Sequence, residues 1–146
     1  MDDLKQRLLK FSTFKEKGDD DNFLDALAEA KLHLNYDLTM TLLATFSDCD
    51  DYGVQERTRN VLESSAKDTY YPALICSLSK IDEASPNKEW ALTLLGIEFE
   101  YGNPELLIEY ANNSEEKYKE FFFDFISRES FVSEYPSSIK FKKIYP

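Results

Sequence analysis

The segment of the chain that most closely suggests chemistry is the acidic run at residues 48–53, which reads Asp-Cys-Asp-Asp-Tyr-Gly. Carboxylates at the first and third positions and a glycine at the sixth also occur in calcium-binding loops of the EF-hand type. Such a loop needs an oxygen ligand at its fifth position and a bidentate glutamate at its twelfth, where this chain has Tyr52 and Arg59. The run therefore predicts no metal site. Asp50 or Asp51 is interpreted instead as the cap of a following helix.

The other residue types used in catalysis are isolated from one another. His33 is the only histidine, and the two cysteines, Cys49 and Cys76, are far apart with no metal-ligand spacing, which argues against both a zinc site and a disulfide framework. The sequence patterns of phosphate-binding loops, serine hydrolases and zinc proteases do not occur. We therefore expect a protein that is not an enzyme and uses no cofactor.

Composition and charge narrow the class of partner. The chain has 146 residues, of which 42% are hydrophobic and 14% aromatic, with only 4 glycines and 5 prolines, so we expect one folded domain spanning 1–146. Its net charge of -11 repels phosphate backbones and anionic lipids, which argues against direct binding of nucleic acid or a membrane. The N-terminus lacks the pattern of a secretory signal, and a cytoplasmic location is expected.

Hydrophobic residues recur at three- and four-residue intervals along most of the chain, which predicts helices. Ser85-Pro86 and Asn103-Pro104 each predict a helix start, and Gly102 a left-handed helix end. The helix from 86 to 101 should be central and mostly buried. The predicted helices span 3–16, 21–34, 37–47, 51–66, 70–83, 86–101, 104–112 and 115–128.

Three of the intervals between alternate helix starts, from 37 to 70, from 51 to 86 and from 70 to 104, measure 33 to 35 residues in this prediction, which is typical of repeated helix pairs. The predicted fold class is all-α, with antiparallel helical hairpins stacked as a short HEAT-like solenoid or as a non-repeating bundle. Residues 130–146 lose the helical period and are predicted to form an irregular tail or short strand. Phe131, Phe141 and Tyr145 would anchor this tail.

The acidic residues are concentrated in two segments. Residues 19–56 carry a net charge of -9 and residues 82–116 a net charge of -8. Because the ends of stacked hairpins line up, these segments could form one negative surface; the alternative is a solvated face that only aids solubility. Two tyrosines stand beside the acids and could either grip a partner or fold back on the core. The predicted partner-binding residues are Asp48, Asp50, Asp51, Tyr52, Glu98, Glu100, Tyr101 and Glu105.

The stretch from Asp37 to Arg128 resembles the small helical immunity proteins of bacterial contact-dependent inhibition and polymorphic toxin systems. The resemblance rests on the segments at 72–78 (PALICSL), 90–96 (WALTLLG) and 101–107 (YGNPELL). It implies a cytoplasmic antidote that binds the C-terminal domain of one cognate toxin, often a nuclease with a basic cleft. The family shares no catalytic residue, so the site residues depend on charge alone.

Two expectations remain open at this point. The alternative function is a helical-repeat adaptor that binds a host protein through its concave face. For the acidic surface, we expect that changing Asp48, Asp50 and Asp51 to lysine slows partner association and leaves thermal stability nearly unchanged.

Overall fold

Every regular element in residues 2–142, which are the residues that the structure describes, is helical. The structure is a computed structural model. The all-α prediction is therefore confirmed. The helices are α1 (Asp2–Phe11), α2 (Asp19–Lys31), α3 (Tyr36–Leu43), α4 (Val54–Glu63), α5 (Lys67–Ala84), α6 (Trp90–Tyr101), α7 (Pro104–Asn112), α8 (Glu116–Ser127), α9 (Glu129–Glu134) and α10 (Ile139–Lys142), with a 3-10 turn at Pro136–Ser138.

The first eight helices form a stack of hairpins. Helix α1 packs on α2 and α3, α2 on α4, and α3 on α5, while α5 packs on α6, α7 and α8. These contacts join helices of the same hairpin or of successive hairpins, as expected when each hairpin buries its apolar face against the next. The first helices of the last three hairpins start at Tyr36, Lys67 and Pro104, so their spacing varies from 31 to 37 residues. The likeness to HEAT repeats stays a prediction.

The two Pro-containing helix starts have different outcomes. Asn103 caps α7 as predicted, because its side-chain oxygen accepts the Leu106 N–H at 3.2 Å. Ser85 instead ends α5: its hydroxyl donates to the Ile81 carbonyl at 2.6 Å, and a turn delays the start of α6 until Trp90. The left-handed conformation predicted for Gly102 is also wrong, since its φ is -100°.

Helix α6 is mostly buried, as the sequence predicts. Trp90 is 8% exposed, and its ring packs against Phe46 with centroids 4.9 Å apart. Gly96 is covered as well, because a Cβ there would lie 1.9 Å from a ring carbon of Tyr135. The ring of Tyr135 therefore takes the space that a side chain at position 96 would occupy. The central position, however, belongs to α5, which contacts helices on both sides.

The C-terminal segment is helical up to Lys142, so the predicted strand or irregular tail is wrong for residues 130–142. This segment is held in place by packing on α6 and α8, to which aromatic side chains contribute. Phe131 and Phe141 are buried, with ring centroids 5.6 and 5.5 Å from Phe99, which confirms them as anchors. Tyr145 lies outside the described residues.

Candidate protein-binding surface

In the loop between α3 and α4, which is part of the first acidic segment, two carboxylates form hydrogen bonds to other residues of the protein. Asp48 accepts the backbone N–H groups of Asn87 at 3.1 Å and Lys88 at 2.8 Å, which ties this loop to the turn before α6. Asp51 is buried. Its carboxylate accepts the Gln55 N–H in the first turn of α4 at 2.7 Å and pairs with the Lys88 ammonium at 3.2 Å. The N-cap position itself is Gly53, so the predicted cap at Asp50 or Asp51 is wrong in position, although the Asp51 side chain binds the first turn.

These bonds change what a charge reversal in the loop would do. Replacing Asp48 or Asp51 with lysine removes the acceptors of two backbone segments and places a cation beside Lys88. We therefore revise the expectation for the triple lysine variant and expect it to lose stability. The physical reason is that both carboxylates hold loops in place, as well as carrying charge.

A single-residue comparison tests the capping role. We expect Asp51→Ala to lower the free energy of unfolding by about 1–2 kcal/mol, because the first turn of α4 loses its side-chain acceptor. The neighbouring Asp50 is exposed, and its carboxylate accepts no backbone N–H of α4. Asp50→Ala should therefore change the free energy of unfolding by less than about 0.5 kcal/mol. Urea unfolding followed by circular dichroism measures both. Equal effects of the two variants would contradict the assignment.

Of the four partner-binding residues predicted in this loop, Asp50 and Tyr52 are exposed. Tyr52 is 85% exposed and has a left-handed backbone, with φ at 53°. It borders a hollow of about 380 Å³ whose other charged lining residues are Lys15, Glu16, Lys17 and Asp20. This end of the molecule therefore combines both signs of charge, and its acidity is weaker than the loop sequence predicts.

The second acidic segment, at the end of α6, is built around a buried carboxylate. Glu98 accepts the Tyr71 hydroxyl at 2.7 Å and lies 3.7 Å from the Lys67 ammonium. The Tyr71 oxygen in turn accepts the Asn103 N–H at 2.9 Å. We call these four residues the Tyr71 network. They join the start of α5, the end of α6 and the start of α7, and so fix the turn between α6 and α7.

Gly102 completes this turn through its small size. A Cβ at this position would lie 2.4 Å from the Glu98 carboxylate oxygen and 2.6 Å from the Tyr71 hydroxyl oxygen. Both distances are far below van der Waals contact. The glycine is therefore required for close approach of the turn to the Tyr71 network.

Acidic side chains surround the exposed tip of the same turn. Tyr101 is 83% exposed, and Glu100 and Glu105 are exposed on either side of it. Burial raises the pKa of the nearby Tyr135 phenol, and the carboxylates of Glu134 and Glu100 raise that pKa further. Glu134 is exposed, and its carboxylate and that of Glu100 both act on the Tyr135 phenol, whose pKa the Arg59 guanidinium lowers. We call Glu100, Tyr101, Glu105 and Glu134 the Tyr101 site.

The two predicted segments lie at opposite ends of α6. Asp48 contacts the turn that precedes α6, whereas Glu98 and Tyr101 are at its last turn. A helix of 12 residues is about 18 Å long. In a stack of antiparallel hairpins, the α3–α4 and α5–α6 connections share one edge, and the α4–α5 and α6–α7 connections share the other. The predicted single negative surface is therefore wrong, and two separate acidic places replace it.

Tyr70 and Tyr71 are both buried, and their burial predicts that the protein loses stability at alkaline pH. Burial raises the pKa of the Tyr70 and Tyr71 phenols, and Glu98 adds to both shifts. In the unfolded chain they ionise near pH 10. Their contribution to the free energy of unfolding should therefore be complete below about pH 10. Above that pH it should decline, by up to about 2.7 kcal/mol per pH unit for the two groups together.

Urea unfolding at about pH 8, 10 and 11 measures this decline. Tyr71→Phe removes one of the two phenols and should reduce the slope above pH 10. A free energy of unfolding that stays constant across this range in the unmodified chain would contradict the prediction.

Several structural partners were missed by sequence reasoning because they are distant in the chain. Lys88, Lys67 and Tyr71 carry no local signal of the carboxylates they meet. Glu134 was missed because its segment was predicted to be irregular. Within residues 2–142, no group of three or more His, Cys, Asp or Glu side chains is arranged to hold a metal ion, and none of the helices described combines the length and apolar character needed to cross a membrane.

Comparisons of this chain with protein-family models, with curated proteins and with solved structures gave no match. The function is therefore argued from the geometry of the two acidic places, of which the Tyr101 site has the stronger negative charge.

Proposed function

We propose that this chain is a cytoplasmic immunity protein that binds a basic toxin domain at the Tyr101 site and neutralises it. The observation that carries the proposal is Tyr101 itself: a large aromatic side chain, 83% exposed, on a turn held by buried hydrogen bonds and flanked by exposed carboxylates. Tyrosine is enriched at the energetic centres of protein interfaces. The resemblance to immunity proteins supplies the kind of partner.

The Tyr101 site suits such a partner for electrostatic reasons. A toxin that acts on nucleic acid must present lysines and arginines to a phosphate backbone. Carboxylates on the antidote compete for those groups and accelerate the encounter, and this acceleration falls with added salt. Because the Tyr71 network holds the turn before binding, little ordering free energy is spent on association. The antidote itself performs no chemistry.

The neighbouring reading frame supplies the partner for a direct test. If it encodes a large secreted protein, the C-terminal domain of that protein is expressed with and without this chain, and growth is measured. We expect growth arrest that this chain relieves, together with a complex of the two purified proteins. Binding to a domain that is not toxic would favour the adaptor function instead. A toxic domain that neither binds nor is relieved would overturn the proposal.

Two tyrosine variants identify which end of α6 makes the contact. We expect Tyr101→Ala to raise the Kd for the toxin domain by about 30-fold or more, equivalent to about 2 kcal/mol. Tyr52→Ala removes an equally exposed ring at the other end and is the matched control, with an expected change below about threefold. Both should unfold at the temperature of the unmodified chain. A larger loss for Tyr52→Ala would move the interface to the opposite end.

A further inference from the structure

A groove lies between the C-terminal ends of α3 and α5, two helices that pack directly against each other. Apolar side chains form most of its walls, with Met40 and Phe46 on the α3 side and Ile81 on the α5 side. Two exposed alanines, Ala44 and Ala84, also line it, and their methyl groups leave space that larger side chains would fill. The result is an open volume of about 230 Å³.

The size and polarity of this groove limit what it can hold. A well-ordered water needs several polar partners, and the apolar walls supply few. The groove is smaller than the sites of drug-sized ligands, which typically exceed about 300 Å³. At about 30 Å³ per water-sized group, it has room for about eight such groups. This corresponds to a short carbon chain with a small polar head.

The hydroxyl of Ser77 is a polar group that the protein itself pairs only weakly. Ser77 lines the groove, is 6% exposed, and donates to the sulfur of Met40, on the facing wall, at 3.4 Å. Ser85 and Ser127, in contrast, donate to the backbone carbonyl four residues earlier. A thioether sulfur is a weak acceptor, whereas buried polar groups are normally well paired. The Ser77 hydroxyl is therefore aimed across the groove and can donate to a stronger acceptor there.

Lys80 supplies a cation beside this hydroxyl. It follows Ser77 by three residues, so the two lie on the same face of α5, and both line the groove. The Lys80 side chain is exposed and forms no ion pair with the residues that the structure describes. It is also the only charged group among the described residues of the lining. The groove therefore offers an ammonium and a hydroxyl donor side by side on one wall, and mainly carbon elsewhere.

From these observations we propose that the α3–α5 groove binds a short aliphatic carboxylate of about six carbons. Its carboxylate accepts from the Ser77 hydroxyl and pairs with the Lys80 ammonium, and its tail lies against Met40, Phe46 and Ile81. An alcohol with the same tail would leave Lys80 unpaired, and an amine would be repelled by it. The groove is at the opposite end of α5 from the Tyr71 network, so its role is independent of the proposed immunity function.

The chain contains a probe for this site, because its two methionines are Met1 and Met40, and Met40 lines the groove. Methionine labelled with carbon-13 at its methyl group gives one NMR signal for each, and Met40→Leu identifies the signal from the groove. Linear carboxylates from acetate to decanoate are titrated one at a time. We expect a saturable shift of the Met40 signal, with an affinity that rises by about threefold to fourfold for each added methylene. The rise should stop once the groove is full, at about six to eight carbons.

Ligands that supply only part of the proposed chemistry test the role of the carboxylate. Hexanol and hexylammonium carry the tail of hexanoate with a different head, and each should bind at least about tenfold more weakly than hexanoate. A short peptide that ends in leucine presents a carboxylate beside an apolar side chain. Tighter binding of this peptide than of hexanoate would overturn the proposal and assign the groove to a protein C-terminus.

Two lysines provide a matched pair of variants. Lys80→Gln should weaken hexanoate binding by about fivefold or more, whereas Lys31→Gln, at the exposed last residue of α2, removes the same charge and should change it by less than about twofold. Ser77→Ala should weaken binding by about threefold or more. Absence of saturation with every carboxylate overturns the proposal. So does an affinity that keeps rising up to decanoate, equally tight binding of hexanol, or equal loss in the two lysine variants.

Discussion

Replacing Trp90 with alanine should lower the free energy of unfolding by about 3–5 kcal/mol, because removal of a buried indole leaves a cavity that its neighbours fill only in part. The ring is 8% exposed and packs on Phe46 at a centroid distance of 4.9 Å. For a chain of this length the melting temperature should fall by about 10 °C or more. Differential scanning calorimetry or thermal circular dichroism measures the change.

Trp90→Phe is the matched control for this effect. It keeps an aromatic ring against Phe46 and removes the unpaired indole N–H, so we expect a loss of about 1–2 kcal/mol. A melting temperature for Trp90→Ala within a degree or two of the unmodified chain would show that the indole contributes little to the packing of α6 against Phe46 in the loop between α3 and α4.

Gly102→Ala should be the most damaging small substitution at the α6–α7 turn, with an expected loss of about 2–4 kcal/mol. The new methyl group would lie 2.4 Å from a Glu98 carboxylate oxygen and 2.6 Å from the Tyr71 oxygen. It must therefore displace the hydrogen bond between them. The φ of -100° at Gly102 is not left-handed, and the expected loss is attributed to the contact that the methyl group would make.

A double-mutant cycle separates this mechanism from general strain in the turn. Tyr71→Phe alone removes the hydroxyl that binds Glu98 and Asn103, and we expect it to lower stability by about 2–3 kcal/mol. If Gly102→Ala acts by breaking the same bonds, the two losses should not add, and the coupling should exceed about 1 kcal/mol. Simple additivity in urea unfolding would contradict the mechanism.

The sequence predicts the fold well where the signal is local. Spacing of apolar residues and the Asn103-Pro104 pair predict helices that the structure contains. Ser85-Pro86 has the same local signal but a different outcome, because the Ser85 hydroxyl bonds to the preceding helix. The helical C-terminal segment is missed because its order depends on rings from α6, such as Phe99, which no local pattern reveals.

The candidate surface is predicted less completely, for a similar reason. Composition locates the carboxylates but does not distinguish those that hold the fold from those that face solvent. From the sequence, Asp48 and Glu98 are both predicted to be exposed acids, yet they bind Asn87 and Tyr71, which lie 39 and 27 residues away. Tyr52 and Tyr101 are both exposed at turns, which rules out the alternative in which their rings fold back on the core, while their role in binding stays a prediction.

The α6–α7 turn separates two kinds of position that evolution can treat differently. Tyr71, Glu98 and Gly102 form its base and constrain one another through buried contacts. Glu100, Tyr101 and Glu105 form its tip and take no part in those bonds, so changes there should leave folding almost untouched. A lineage with this scaffold can therefore diversify the tip and acquire a new binding specificity while the base remains the same.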